Sequence, residues 1–326
     1  MSHAIRIHQT GGPDVLTWEA IDVPTPGAGE ALIRQTASGL NYIDVYHRSG
    51  LYPVSSMPAV IGSEGAGVVE AIGDGVSEVD VGDRVAYCMS LGSYAQRRLV
   101  PSRLLVRLPE GITDTQAAAM MLKGCTVQYL LRRAYRLQAG QTILFHAAAG
   151  GCGLIACQWA KHLGATVIGT VGTPEKAELA KAHGCDHAVV YTQENFVEQV
   201  KTLTNGEGVP VVFDSVGKDT FMDSLDCLQP RGTMVSFGNA SGAVEAFSPG
   251  LLAAKGSLYL TRPTLATYMR ARAEIEDMTT ELFDVVSAGA VRVEVNQTYA
   301  LEDAAQAHRD LEGRQTTGST VLLTGA

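Results

Sequence analysis

The chain has 326 residues, a formal net charge of −9, 46% hydrophobic and 18% charged residues, a composition that leaves no case for disorder. That length exceeds the roughly 100 to 200 residues of one domain, so two lobes are expected. The acidic balance argues against a surface that grips nucleic acid or an acidic membrane as a whole, and no segment approaches the ~18 apolar residues that span a bilayer.

The start, MSHAIRIHQTGG, has no basic region followed by an apolar run, and the six cysteines are scattered without a C-x-x-C pair. A cytoplasmic protein with free, mostly buried thiols is expected. Arginines 97, 98, 103, 107, 132, 133 and 136 crowd one region. A solvated, salt-bridged face explains them, and an RNA-binding patch is the competing reading.

In chain order, residues 1–124 read as short β-like runs broken by Gly and Pro, among them AIRI, ALIRQTA, GAGVVEAIG and GDRVAYC. The exception is NYIDVYHRSG, where Asn41 caps a short helix that Gly50 stops. From 125 to 262 strands alternate with helical periods: TILFH, ATVIGTV, HAVVY, VPVVFD, GTMVSF and SLYLT, with Ile155, Trp159 and Leu163 marking one amphipathic helix. Apolar strands alternating with helices predict an α/β domain built on a doubly wound parallel sheet. Residues 263–326 hold a long helical stretch, TYMRARAEIEDMTTELFDVVSAG, then VEVNQTYA, a helix and the strand STVLLTG. This tail is short for a domain of its own and is expected to pack back onto the first lobe.

The first strand of the second lobe runs into HAAAGGCG, where Ala148, Gly150 and Gly153 form A-x-G-x-x-G, with Gly151 and Cys152 between the glycines. A small first residue permits the tight turn, Gly150 lets backbone approach a pyrophosphate, and Gly153 lets the helix sit close to the strand. The helix then offers its unpaired N–H groups to phosphate. About 20 residues further on, an NAD site places a carboxylate for the ribose 2′-OH. Here the turn is TVGTPEK, with Gly172, Thr173 and Lys176 and no acid before Glu175. Thr173, the following helix N-terminus and the Lys176 ammonium suit a 2′-phosphate, which favours NADPH over NADH. Thr173 also suits a helix cap with Pro174 behind it, and the two roles are compatible.

GGPDVL, NYIDVYHRSGLY, LKGCTVQYLL, FHAAAGGCGLIACQWAK, DSVGKDT and VSFGNASGAV together make the whole chain resemble a zinc-independent NADPH:quinone oxidoreductase of the zeta-crystallin-like group, within the medium-chain dehydrogenase/reductase superfamily. The resemblance implies a GroES-like first lobe, a Rossmann second lobe, a cofactor cleft between them and a homodimer joined through the nucleotide lobes. It implies Asn41 and Tyr46 on the nicotinamide side, with Thr126 and Tyr129 flanking the cofactor. Gly172, Thr173, Lys176 and Tyr191 are implied around the 2′-phosphate, followed by Ser215, Phe237, Gly238, Asn239 and Arg262, with Arg314 reaching in from the tail. Tyr42 departs from an expected Phe, Gln128 from a second aromatic, and Cys152 from Val. An exposed Cys152 at the positive helix end would be open to oxidation.

Zinc alcohol dehydrogenases share this architecture, and their open site needs three protein ligands. GSEGAG carries Ser63 where a histidine would stand, LNYID has no cysteine, and Cys125 alone cannot hold a metal. Without metal, a flat quinone suits hydride transfer, its developing oxyanion met by donors such as Asn41, Tyr46 and Tyr52. Both tyrosines suit lobe packing equally well. Two rivals remain at this point: reduction of an activated C=C bond, as in 2-alkenal or enoyl reductases, and an NADPH-gated RNA-binding or structural protein.

Overall fold

A computed structural model describes residues 1–325, which divide into two units. The first comprises Met1–Cys125, Met269–Ser287 and the chain from Val293 onward; the second comprises Thr126–Tyr268 and Ala288–Arg292.

In the first unit, Glu30–Leu40 is the organising strand. It pairs antiparallel with Glu64–Ile72, with Arg97–Pro101 and with the late strand Ser319–Leu323. Glu64–Ile72 passes the ladder on to Arg84–Cys88 and then Val106–Arg107, while Val295–Ala300 joins Ser319–Leu323 in parallel. A smaller antiparallel sheet, Thr17–Ile21, Ser2–Ile7 and Ala59–Val60, closes over a core of Ile5, Ile7, Leu40, Ile61, Tyr94, Leu301 and Leu322. Burial alternates along Glu30–Leu40 until its last residues, where the strand is enclosed on both faces. This unit is the GroES-like lobe.

The second unit is a six-stranded parallel sheet in the order His187–Val190, Thr166–Val171, Thr142–Phe145, Val209–Asp214, Leu228–Ser236, Tyr259–Thr261. The strand order reverses at Thr142–Phe145. Its neighbours to either side are Thr166–Val171 and Val209–Asp214, and ligands of such sheets gather beyond the carboxyl ends at this point. Helices Gly151–His162, Pro174–Ala182 and Phe196–Leu203 connect the strands, and Leu144, Ile168, Val200, Val212 and Phe221 are among the side chains that fill the core. This is the doubly wound Rossmann arrangement.

The segment expected as one long helix is two, Leu265–Tyr268 and Arg272–Ser287. The Glu274 carboxylate accepts the Ala271 N–H at 2.9 Å and starts the second helix there. Met269, between them, is buried with its sulfur 3.7 Å from Cys88 Sγ.

Candidate functional site

In the nucleotide unit, strand Thr142–Phe145 leads through His146 into the glycine loop and the helix Gly151–His162. Ala147 takes the left-handed region at φ 56°, and its carbonyl accepts the Gly150 N–H at 2.9 Å. A Cβ on Gly153 would run into Ala147 O and lie 2.6 Å from Ala148 Cα, so only glycine lets the helix start this close. Ala148 is buried against the second strand, where a Cβ on Gly169 would stand 2.5 Å from its own Cβ. Gly150 caps the helix with no side chain, and Gly151 and Cys152 form its half-buried first turn. The result is a small-residue cradle at a helix N-terminus, where unpaired N–H groups favour an anion.

Beyond strand Thr166–Val171, Thr173 caps the helix Pro174–Ala182, its Oγ1 accepting the Lys176 N–H at 3.3 Å. Tyr191 stands over Gly172, whose added Cβ would lie 3.1 Å from Tyr191 Oη. No carboxylate occupies the turn at 171–174. Glu175, on the first helical turn, is held below the usual carboxylate range chiefly by the Thr173 hydroxyl. The turn therefore brings Gly172, Thr173, Lys176 and Tyr191 to one strand end.

Two further loops leave neighbouring strand ends. Ser215 follows Val209–Asp214, and Phe237, Gly238 and Asn239 follow Leu228–Ser236. They are packed together: a Cβ on Gly238 would lie 2.9 Å from Ser215 Cα, and Ala240 N–H donates to Ser215 O at 3.1 Å. Phe237 tilts against Phe145 at 5.7 Å between ring centroids. Arg262, just past the edge strand, is exposed and donates to Pro263 O at 3.3 Å. Thr126 and Tyr129 are buried, with Tyr129 stacked on Tyr268 at 4.6 Å.

In the first unit, Asn41 precedes the helix Tyr42–Ser49, and Gly50 ends it at φ 89°. The Asp44 carboxylate accepts the Asn41 N–H at 2.9 Å. The Asn41 amide is directed elsewhere, donating to Glu64 Oε1 at 2.7 Å and more weakly to Gly39 O at 3.4 Å. A donor role for Asn41 toward an acceptor therefore draws on the longer bond alone. Tyr46 is buried and meets Tyr52 edge-on at 5.1 Å, which adds a packing role for both rings. Tyr42 Oη donates to Leu311 O at 3.2 Å, which gives the hydroxyl that replaces the expected Phe a partner. Arg314 is exposed in the left-handed region at φ 57°.

Sequence reading missed the polar centre beneath these residues. Glu64 is fully buried and accepts from Lys123 Nζ at 2.9 Å, Asn41 Nδ2 at 2.7 Å and Leu122 N–H at 2.6 Å. Ser63 Oγ donates to Asp44 Oδ1 at 2.6 Å, and Tyr94 Oη links Asp44 to His308 Nε2 at 3.2 and 3.1 Å. Burial pushes the Asp44 carboxyl up to about 7 and the His308 imidazole down to about 3, with the Arg48 guanidinium reinforcing the latter. Lys123 and Glu64 lie on segments far apart in sequence, so no local pattern announces the pair.

A family model described as alcohol dehydrogenase GroES-like domain matches residues 27–110, and one described as zinc-binding dehydrogenase matches residues 151–287. The quinone oxidoreductase of Pseudomonas aeruginosa is 53% identical to the chain, over 99% of it and 100% of its own length. The chain belongs to the quinone oxidoreductase family. Another quinone oxidoreductase, that of Escherichia coli solved in complex with NADPH, superposes with a TM-score of 0.97 at 47% identity, covering 99% of this chain and 100% of its own. The 2-haloacrylate reductase of a Burkholderia species is 47% identical over 99% of both chains.

In this quinone oxidoreductase family member, the zinc of the second description finds no donor set. Ser63 is bonded to Asp44, the Glu64 charge is met by the Lys123 ammonium, and the described residues contain no group of three His, Cys, Asp or Glu able to hold a metal ion.

Proposed function

We propose that the chain is an NADPH-dependent reductase of small quinones that works without a metal. The observation that carries this reading is the small-residue glycine loop followed by a second-strand turn with no carboxylate at 171–174, where the NAD version of the fold places one, in a chain of the quinone oxidoreductase family. Bound NADPH supplies the hydride, and the protein supplies binding and orientation. Ala148, Gly150, Gly151, Cys152, Gly153 and the N-terminus of helix Gly151–His162 hold the pyrophosphate in this reading. Gly172, Thr173, Lys176 and Tyr191 hold the 2′-phosphate. Thr126, Tyr129, Ser215, Phe237, Gly238, Asn239, Arg262 and Arg314 are assigned to the remainder of the cofactor, and Asn41, Tyr46 and Tyr52 to the acceptor, as donors to its developing oxyanion.

A second reading, reduction of an activated C=C bond, is favoured by the 2-haloacrylate reductase among the relatives. An RNA-binding role loses its support in part, because Arg97 pairs with Glu70, Arg98 bonds Ser90, and Arg107 pairs with Asp80 and Asp83. A homodimer is supported by the edge strand Tyr259–Thr261, which among the described residues has a sheet partner on one side only and leaves Tyr259 63% exposed. A cytoplasmic location is supported by six cysteines, none of which forms a disulfide among the described residues.

The deciding experiment measures NADPH and NADH consumption by the purified protein with a 1,4-quinone, a 2-alkenal and 2-haloacrylate as acceptors. Quinone-dependent turnover with a preference for NADPH is expected. Faster turnover on either alkene moves the assignment to C=C reduction, and salt-sensitive RNA binding without turnover on any acceptor rejects the enzyme reading.

A further inference from the structure

Beneath the carboxyl ends of the central strands of the nucleotide unit lies a buried chain of polar groups outside the residues assigned above to the cofactor. His146, Thr170, Asp214 and Ser224 are each at most 2% exposed. Each stands on a different element: His146 at the end of Thr142–Phe145, Thr170 within Thr166–Val171, Asp214 at the end of Val209–Asp214, and Ser224 in the helix Phe221–Asp226. They meet where the strand order reverses.

The carboxylate sets the direction of every bond. Asp214 Oδ1 accepts the N–H groups of Val216 and Gly217 at 2.7 and 3.1 Å, and Oδ2 accepts the hydroxyls of Thr220 and Ser224 at 2.8 and 3.3 Å. With its hydrogen given to the carboxylate, Ser224 Oγ accepts the His146 Nε2–H at 2.9 Å. His146 Nδ1 is then the bare nitrogen and accepts the Thr170 hydroxyl at 2.9 Å. Burial holds the His146 imidazole below its usual range, opposed by the Asp214 charge, so the ring is neutral and its tautomer fixed. Phe196 closes the pocket, edge to the imidazole at 5.1 Å.

What this chain fixes is the backbone around it. Thr170 donates its hydroxyl to His146 Nδ1 and accepts the Ala148 N–H at its carbonyl, at 3.0 Å, and so straddles Ala147, the left-handed residue that opens the phosphate loop. Asp214 shapes the turn that carries Ser215, and its carbonyl accepts the Phe237 N–H at 2.7 Å, which ties in the loop carrying Gly238 and Asn239. One buried network thus spans three loops that carry residues assigned to the cofactor.

We propose that His146 and Thr170, with Ser224 and Asp214 behind them, are positioning residues for dinucleotide binding that lock the phosphate loop through the left-handed Ala147. This deepens the NADPH reading above and rests on it. The loop amides act as phosphate donors only while held in place, and preorganised donors bind better than ones that must be ordered on binding.

The test compares Thr170→Val, which removes the hydroxyl and leaves the shape and the carbonyl, with Thr170→Ser, which restores the hydroxyl, and with His146→Phe. NADPH and adenosine 2′-monophosphate are titrated by calorimetry, alongside thermal unfolding and steady-state kinetics. Thr170→Val is expected to raise the NADPH Kd and KM about fivefold, the scale of one lost buried hydrogen bond. Affinity for adenosine 2′-monophosphate, which carries no pyrophosphate, and kcat at saturating NADPH stay within about twofold on the same basis. Thr170→Ser recovers the wild-type Kd, and His146→Phe shares the Thr170→Val pattern. A Thr170→Val protein that loses melting temperature while keeping its NADPH Kd overturns the proposal, as does equal weakening of both ligands. A wild-type protein that binds no NADPH removes the underlying cofactor reading instead, so the two failures are told apart.

Discussion

Lys176 sits on the first turn of the helix that Thr173 caps, at the strand end where the NAD version of the fold places an acid. Its ammonium is proposed to meet the 2′-phosphate, a charge that NADH lacks. Lys176→Ala is therefore expected to raise the KM for NADPH about tenfold, the scale of one charge-assisted bond, and to leave NADH nearly unchanged. Steady-state kinetics with both cofactors checks it, and equal effects on the two sink the assignment. These residues were legible in the sequence because the chemistry lies in adjacent positions. Glu64 and Asp44 were not: their meaning depends on Lys123 and His308, which only the folded chain brings against them or their neighbours.

At the scale of elements, the glycine loop and its helix act as one piece. Gly153 faces the Ala147 carbonyl and the Ala148 backbone, neither of which can move aside as a flexible side chain can. Gly153→Ala is expected to push the helix off the strand, weaken NADPH binding at least tenfold and destabilise the fold by about 2 kcal/mol, the range of overpacking in a tight core. Calorimetric titration and urea denaturation read the two effects. The six parallel strands were legible from their apolar runs, but their limits were less so. Leu228–Ser236 begins before the expected Gly232, because Pro230 reads as a break in sequence, whereas in the sheet Leu228 still pairs with Val209 and the ladder resumes at Thr233 against Val211, with Pro230 and the left-handed Arg231 in the irregularity between. The helical pattern from Thr267 on concealed a break at Met269, whose burial against Cys88 is a tertiary event.

At the scale of the whole molecule, two predictions concern how it holds together. The edge strand Tyr259–Thr261 is the proposed dimer seam, and Tyr259→Asp is expected to turn a dimer into a monomer by sedimentation; a wild-type monomer rejects the seam. The other concerns acid. Asp44 faces Ser63, the Asn41 N–H, Tyr94, Glu64 and Lys123, and its raised pKa of about 7 makes stability fall as pH rises from about 4 to 7, since the folded state alone holds the proton. His308, facing Tyr94 and Arg48 and lowered to about 3, works the other way: below about 6.5 the unfolded chain takes up a proton that the folded state refuses. In the wild type the two slopes oppose each other over the shared window. Asp44→Asn leaves His308 alone, so its unfolding free energy is expected to drop on acidification from about pH 6.5 to 3, by up to about 1.4 kcal/mol per pH unit. Urea denaturation across that range checks it, and a variant whose stability falls no more steeply than that of the wild type contradicts it.

The sequence by itself determined the two-lobed α/β plan, the glycine loop at a helix start and the carboxylate-free turn, because strand and helix periodicity, glycine requirements and capping act between neighbours in the chain. Only the tertiary structure decided that Asn41 gives its shorter amide bond to Glu64, that Lys123 supplies the charge at that buried carboxylate, and that His146 and Asp214 sit under one set of loops. Those outcomes depend on desolvation and on partners from distant segments. Both are properties of the packed interior, and neither leaves a local pattern in the sequence.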